Sequence, residues 1–213
     1  MRILLNSFDI FINFGNMQNI PYGMVCLFKE NMTSFSKETW IKEGLDVVAE
    51  SGASNLTIEC LTLRLRVTKG SFYHHFQSRL SFITEMLEYW ENQMTSDIIK
   101  SSKVGRTFKE KNEKLISHLE RTKNSELEIA IRAWSLHDAL VQKFQERVDK
   151  RRIAYLKDLF FIMTEDNEKA DIFSNIQYLY YIGNQQIGSH FSEEKFRYYT
   201  EALNNMFRVT IEK

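Results

Sequence analysis

Residues 52–76 read GASNLTIECLTLRLRVTKGSFYHHF, and the local signals in this stretch decide the fold. Gly52 is the residue type favoured just beyond a helix, so it predicts the end of a preceding helix. Thr57 is placed to cap a second, short helix, which we expect to break near Arg66. Thr68 is placed to cap a third helix. Three short helices with a tight turn before the third are typical of a helix-turn-helix module.

The rest of the chain predicts further helices. Pro21 is the one proline, and eight glycines in 213 residues are too few turn formers for a β-sandwich or barrel. The spacing of hydrophobic residues predicts a long rod over about 80–101 and then helices over 106–122, 126–136, 139–163, 168–190 and 193–211. We therefore predict an all-α protein with an N-terminal three-helix DNA-binding domain at 34–94, its helix-turn-helix at about 57–76, and a larger helical bundle at 95–213.

Residues 1–31 stand apart from this pattern. They are rich in apolar residues but interrupted by Asn6, Asp9 and Asn13, and no A-x-A cleavage site follows them, so they make a poor secretory signal. We expect them to lie outside the fold. They are either an N-terminal extension or a consequence of a start site that truly lies at Met32.

The charge distribution is uneven although the totals balance at 28 basic and 28 acidic residues. From Cys60 to Thr84 there is no Asp or Glu, and the bases are Arg64, Arg66, Lys69 and Arg79. Such a run favours a surface that faces phosphates. The alternative is a solvated face that happens to lack acids.

The second and third helices present groups suited to DNA. A helix N-terminus stabilises a phosphate, so the Thr57 and Thr68 hydroxyls and the amides behind them are candidate contacts. Residues expected nearest the bases are Lys69, Gly70, Ser71 and His74, and those expected at backbone phosphates are Tyr73, His75 and Arg79.

Residues 52–76, with QSRLSF after them, resemble the N-terminal domain of TetR/AcrR-type transcriptional regulators. The family pattern V-[ST]-K-[GA]-[ST]-[LF]-Y-x-[YH]-F and its following basic residue are matched by Val67, Thr68, Lys69, Gly70, Ser71, Phe72, Tyr73, His75, Phe76 and Arg79. The resemblance is strong over roughly 34–90 and weaker over 126–160. Two departures are Thr62, where a small residue is usual, and Arg66, where glycine is usual. The turn at Arg66 is therefore either slightly strained or differently shaped.

The resemblance implies a symmetric homodimer on a near-palindromic DNA site, with the bundle serving effector binding and dimerisation. Stripes expected to form the dimer interface contain Ile176, Leu179, Gly183 and Ile187 on one helix and Tyr199, Leu203 and Met206, together with Phe196 and Phe207, on the next. The alternative is that both stripes are buried within one subunit. Aromatic residues expected to line a pocket for a small-molecule effector are Trp90, Trp134, Phe144, Tyr155, Tyr178 and Tyr181. The alternative for these is ordinary helical core.

No pattern favours catalysis or a metal. The sequence contains no H-E-x-x-H, G-x-S-x-G, P-loop or dinucleotide fingerprint, and the adjacent His74 and His75 point to different sides of a helix. We predict no enzymatic activity, no metal and no cofactor. The run Lys150-Arg151-Arg152 is expected to be a solvated face with local ion pairs, rather than a second DNA contact.

The predicted function is a ligand-responsive transcriptional regulator, acting as a repressor on double-stranded DNA. With no long apolar window and only Cys26 and Cys60 as thiols, we expect a cytoplasmic protein that associates with the nucleoid when bound to DNA and has no membrane partner. One alternative is a regulator of the same architecture that takes no ligand and is constitutive or controlled by a protein partner. The other is a helical small-molecule-binding or catalytic protein that has lost DNA binding.

Overall fold

The computed structural model describes residues 35–122, 125–187 and 193–211, so the predictions for residues 1–31 lie outside it. The helices are α1 (Lys37–Ser51), α2 (Ile58–Leu65), α3 (Lys69–His75), α4 (Arg79–Glu91), α5 (Asp97–Ser102), α6 (Phe108–Thr122), α7 (Ser125–Ser135), α8 (Ala139–Thr164), α9 (Asn167–Ile187) and α10 (Glu193–Ile211). A 3₁₀ turn spans Ala53–Asn55. The all-α prediction is confirmed, since no strand occurs in the described ranges.

The first three helices each begin directly after a serine or threonine, the residue types favoured at a helix N-terminus. The Ser36 hydroxyl accepts a hydrogen bond from the Thr39 amide at 3.2 Å. The Thr57 hydroxyl accepts one from the Cys60 amide at 3.0 Å. Each bond satisfies a backbone donor that has no partner within the helix. These local signals are strong enough to fix where α1 and α2 start.

Helix α2 ends in a left-handed turn at Arg66, where φ is 56° and ψ is 45°. The Arg66 amide donates to the Leu63 carbonyl at 3.2 Å, and the Val67 amide donates to the Thr62 carbonyl at 3.0 Å. This is the Schellman arrangement, which glycine usually completes because it has no Cβ. Of the two possibilities left by the sequence, the turn is the strained one.

Aromatic side chains hold the three helices against α4. The Phe72 ring centroid lies 5.5 Å from those of Trp40 and Phe82, and the centroids of Phe76 and Phe82 are 4.9 Å apart. Gly44 allows α1 and α4 to approach, since a Cβ there would lie 2.6 Å from Cζ of Phe82. This packing turns Phe72 and Phe76 inward and so leaves the opposite face of α3 at the surface.

The predicted rod over 80–101 runs from Arg79 to Ser102 as α4, a π-helical segment Asn92–Ser96, and α5. The predicted boundary between residues 94 and 95 falls inside the π-helical segment. Such segments are rare and occur frequently at functional sites. The rod thus joins the helix-turn-helix to the bundle through a local irregularity.

The bundle of α6 to α10 has its own aromatic core. Phe173 and Phe207 stack with ring centroids 4.1 Å apart, and Phe160 packs edge-on against both. In the described part of the chain, no helix has the length and apolar character needed to cross a membrane.

Candidate functional site

The outward face of α3 carries most of the residues predicted to meet DNA. Lys69, Gly70 and His74 are exposed, and Tyr73 is 56% exposed beside the buried Phe72. Ser71, on the same short helix, is half-buried. A helix that keeps a phenol, an imidazole and an amine at the surface is suited to a partner with donor and acceptor groups.

The two threonines ahead of α2 and α3 play different parts. The Thr57 hydroxyl caps α2, so its oxygen is in use while its hydrogen can still donate. The Thr68 backbone takes the capping position of α3, but its exposed side chain makes no capping hydrogen bond in the described structure. The sequence correctly located both helix starts but predicted side-chain capping at Thr68, which does not form.

The acid-free run is less positive in the structure than in the sequence. Arg64 forms ion pairs with Glu43 and, at 2.7 Å, with Glu50, both on α1. Lys69 pairs with Glu59 on α2, and this hydrogen bond holds the pKa of Glu59 below its usual value. Carboxylates before the run therefore offset two of its four bases. The charge prediction missed them because helix packing, rather than sequence spacing, brings them close.

Arg79 and His75 also have contacts inside the protein. The Arg79 guanidinium donates to the Leu56 carbonyl from Nε at 3.2 Å and from Nη2 at 3.0 Å. The His75 ring is half-buried, with its centroid 6.5 Å from that of Trp40. Both residues help to fix the helix-turn-helix, whatever they contact outside it.

A cavity of about 60 Å³ lies among α5, α6, α8, α9, α10 and the π-helical segment. Three of the aromatic residues predicted to line a pocket, Tyr155, Tyr178 and Tyr181, line this cavity. Burial raises the pKa of Tyr155, so its hydroxyl is neutral at physiological pH. The wall is otherwise largely apolar, with polar groups from Thr95, Asn112, Arg152, Gln177 and Thr200.

Trp90, Trp134 and Phe144 do not line this cavity. They pack in the hydrophobic cluster that joins α1 and α4 to α7 and α8. Trp90 is fully buried, and its indole N–H donates to Glu128 Oε1 at 3.0 Å. For these three residues the structure favours the core alternative, because the apolar faces of α7 and α8 meet the rod there.

The prediction of a solvated face at Lys150-Arg151-Arg152 is wrong for Arg152. Its side chain is 10% exposed and forms a two-pronged pair with Glu128, at 2.7 and 2.9 Å. Burial disfavours the charged guanidinium, but Glu128 outweighs it and keeps the pKa of Arg152 above its usual value. Arg152 also donates to Thr95 Oγ1 and to the Met94 carbonyl in the π-helical segment. The sequence did carry one signal of this pair: Glu128 lies between the apolar Leu127 and Ile129, a position that indicates a buried carboxylate in need of a partner.

Comparison with solved structures identifies the architecture. A transcriptional regulator from Rhodococcus sp. Rha1 aligns over 81% of this chain and 96% of its own, with a TM-score of 0.69 and 16% identity. A TetR/AcrR-family regulator aligns over 80% and 97%, with a TM-score of 0.69 and 18% identity. A TetR-family regulator from Rhodococcus sp. aligns over 81% and 98%, with a TM-score of 0.61 and 14% identity.

The chain has the TetR/AcrR fold. The resemblance seen in the sequence is thereby confirmed at the level of the fold. No protein-family model matches the chain. Among curated proteins, the transcriptional regulator AcuR of Cereibacter sphaeroides is 31% identical over 58 residues, a match that spans 27% of this chain and 26% of AcuR.

On the TetR/AcrR fold seen here, parts of the predicted dimer stripes face outward. The exposed fractions are 40% for Ile176, 70% for Leu179, 52% for Ile187, 42% for Tyr199 and 66% for Met206. A Cβ added at Gly183 would meet no atom within 4 Å. Leu203 is half-buried against the bundle core, and Phe196 and Phe207 are buried. The predicted stripe on α9 is therefore largely exposed to solvent, whereas the predicted stripe on α10 has some residues at the surface and others in the core.

In the described ranges, no three His, Cys, Asp or Glu side chains are grouped so that they could hold a metal ion. His74 and His75 lie with ring centroids 5.1 Å apart and planes at 74°, an edge-to-face contact between neighbours on one helix.

Proposed function

We propose that this protein is a sequence-specific, DNA-binding transcriptional regulator. The observation that carries the proposal is the exposed face of α3, which presents Lys69, Tyr73 and His74 on a helix fixed from behind by buried aromatic rings. Such a helix fits the major groove, whose width admits one α-helix. The TetR/AcrR fold and the short match to a curated regulator support the same function.

The contacts divide between bases and backbone. Lys69, Ser71 and His74 approach the base edges, and Gly70 lets the helix start come close to the groove. The phosphate contacts come from Thr57, Thr68, Tyr73, His75 and Arg79. Phosphate contacts set affinity and register, whereas base contacts set sequence preference.

The active species is a homodimer on a near-palindromic site. The outward Ile176, Leu179 and Ile187 of α9 offer an apolar stripe that a second copy would cover, and Gly183 gives the two helices room to approach. Tyr199 and Met206 extend the stripe on α10. Two recognition helices in such a dimer read half-sites about 34 Å apart, one turn of DNA.

The regulator is a cytoplasmic repressor that a small molecule releases from the nucleoid. The cavity is lined by Met94, Thr95 and Ile98 of the rod, and the rod packs on the helix-turn-helix through α4. A ligand that binds better to a conformation with displaced recognition helices weakens DNA binding, and DNA weakens ligand binding by the same factor.

Fluorescence anisotropy against labelled DNA from upstream of the gene tests the function. We expect specific binding at least about 10³-fold tighter than binding to random DNA, with log affinity falling linearly with log salt. Lys69→Ala and Tyr73→Phe should each weaken binding roughly fivefold or more, since each removes about 1 kcal/mol of hydrogen bonding. Lys157→Ala is the matched control, because Lys157 is also an ion-paired lysine, with a side chain 39% exposed, but lies on α8.

Equal affinity for all sequences, in the upstream DNA and in a selection from random DNA, would refute sequence-specific regulation. Full affinity in Lys69→Ala would refute the placement of α3 in the groove.

A further inference from the structure

The charge in the cavity wall is already neutralised within the protein, and this limits the charge that the proposed effector can carry. The guanidinium of Arg152 is the cation of the wall, and both oxygens of Glu128 already accept hydrogen bonds from it. The tyrosines of the wall are neutral. A charged ligand would therefore enter a low-dielectric site without a counter-charge, and burial of an unpaired charge is costly.

Two buried polar side chains in the wall have an atom without a hydrogen-bond partner in the described structure, Gln177 through Oε1 and Thr200 through Oγ1. Gln177 is 8% exposed and lines the cavity, and its Oε1 has no hydrogen-bond partner within the described structure. Most buried polar atoms in proteins are paired, since an unpaired one loses its bonds to water without replacement. Gln177 thus presents an unused acceptor to whatever occupies the cavity.

The phenol groups nearby are already engaged. The Tyr178 hydroxyl donates to Asp149 Oδ1 at 2.6 Å, and the Tyr155 hydroxyl lies 2.7 Å from Ser102 Oγ. The Tyr181 hydroxyl accepts from Gln185 Nε2 at 2.8 Å. Each of these hydroxyls already has a partner within the protein, whereas Gln177 Oε1 has none. The Thr200 hydroxyl can donate as well as accept, so Gln177 Oε1 is the atom that selects specifically for a ligand with a donor.

We propose that the cavity binds a small uncharged molecule that donates a hydrogen bond to Gln177. Its volume of about 60 Å³ accommodates roughly four to six water-sized groups. The ligand is thus a short-chain amide or alcohol, and its charged analogues are rejected. This inference rests on the proposed effector-responsive function and names the chemical class of the effector.

The test compares four probes of similar size and different chemistry. Butyramide is uncharged with a donor, 2-pentanone is uncharged without one, and butyrate and butylammonium carry opposite charges. Each is titrated into the full-length protein in the millimolar range by calorimetry and by thermal unfolding. We expect butyramide to bind at least about tenfold tighter than each of the others, the effect of one hydrogen bond or more.

Gln177→Met tests the contact itself. It should weaken butyramide binding about tenfold while leaving the melting temperature of the free protein equal or higher, because the unpaired amide is removed. Gln145→Met is the matched control, since Gln145 is a buried glutamine outside the cavity that donates to Asp149. Butyramide binding should persist in that control.

Several results would overturn the inference: binding of butyrate or butylammonium as tight as that of butyramide, no binding of any probe, or unchanged butyramide binding in Gln177→Met. Anisotropy on the same preparations separates these from failure of the proposed function. Butyramide binding without DNA binding would support the ligand class and refute the regulatory function. Specific DNA binding together with any of the three results above would support the regulatory function and refute the ligand class.

Discussion

Replacing Glu128 by glutamine removes the negative charge that balances Arg152 inside the bundle. The two side chains are 5% and 10% exposed, so water cannot compensate the guanidinium that remains. Breaking a buried pair in this way costs about 3–5 kcal/mol. We expect about 3 kcal/mol for Glu128→Gln, because the amide oxygen can still accept one of the hydrogen bonds from Arg152.

The double variant Glu128→Met/Arg152→Met separates burial of a charge from loss of packing. It removes both ions and leaves apolar side chains, so most of the lost stability should return. Glu50→Gln is the control on an exposed pair, where Glu50 is 54% exposed and the expected cost is below about 1 kcal/mol.

The measurement is urea unfolding at neutral pH, followed by far-UV circular dichroism, with the free energy of unfolding obtained by linear extrapolation. A cost below about 1 kcal/mol for Glu128→Gln would show that water reaches Arg152. A double variant as unstable as the single one would show that packing, rather than the stranded charge, determines the loss.

Two further predictions concern stability. The free energy of unfolding should be about 0.5–1 kcal/mol higher for Arg66→Gly than for Arg66→Ala. Both variants lose the charge, but only glycine relieves the strain of the left-handed backbone. Equal free energies of unfolding in urea would contradict this. Burial favours protonated Asp149, but hydrogen bonds from Arg132 and Tyr178 outweigh it and hold the pKa of Asp149 below its usual value. That stabilisation is complete above the unfolded pKa of about 3.9 and is lost as pH falls through the lower folded pKa. The free energy of unfolding in urea should therefore fall less steeply between pH 5 and 3 in Asp149→Asn than in the wild type. Parallel pH curves for the two proteins would refute the role of Asp149.

The sequence could predict what neighbours along the chain determine. The caps at Ser36 and Thr57 and the end of α2 at Arg66 depend on bonds spanning three to five residues, so the residue types there suffice. The burial of Phe72 and Phe76 follows from their spacing by four, which places Phe76 at the end of α3 on the same side as Phe72. The fold class and the exposed face of α3 were accessible for this reason.

Contacts between helices were not accessible in the same way. Arg152 meets Glu128 at a separation of 24 residues, and Arg64 meets Glu50 at 14. Periodicity shows that a helix has an apolar face but not which helix covers it. The same reason explains why Tyr178 lines the cavity while Trp134 packs in the core, although both are aromatic residues on amphipathic helices.

The pairing of Lys69 with Glu59 means that the recognition helix already carries its own counterion. When Lys69 turns from Glu59 toward the DNA, the carboxylate stays close by and offsets the charge of Lys69, so fewer counterions leave the DNA. In the proposed complex, the slope of log affinity against log salt is therefore smaller, by about one, than a count of DNA-facing cations suggests. Attraction to random DNA is weakened by the same pairing. The protein would dissociate sooner from non-operator sequences, and its search would depend more on finding the right base edges than on holding any phosphate it meets.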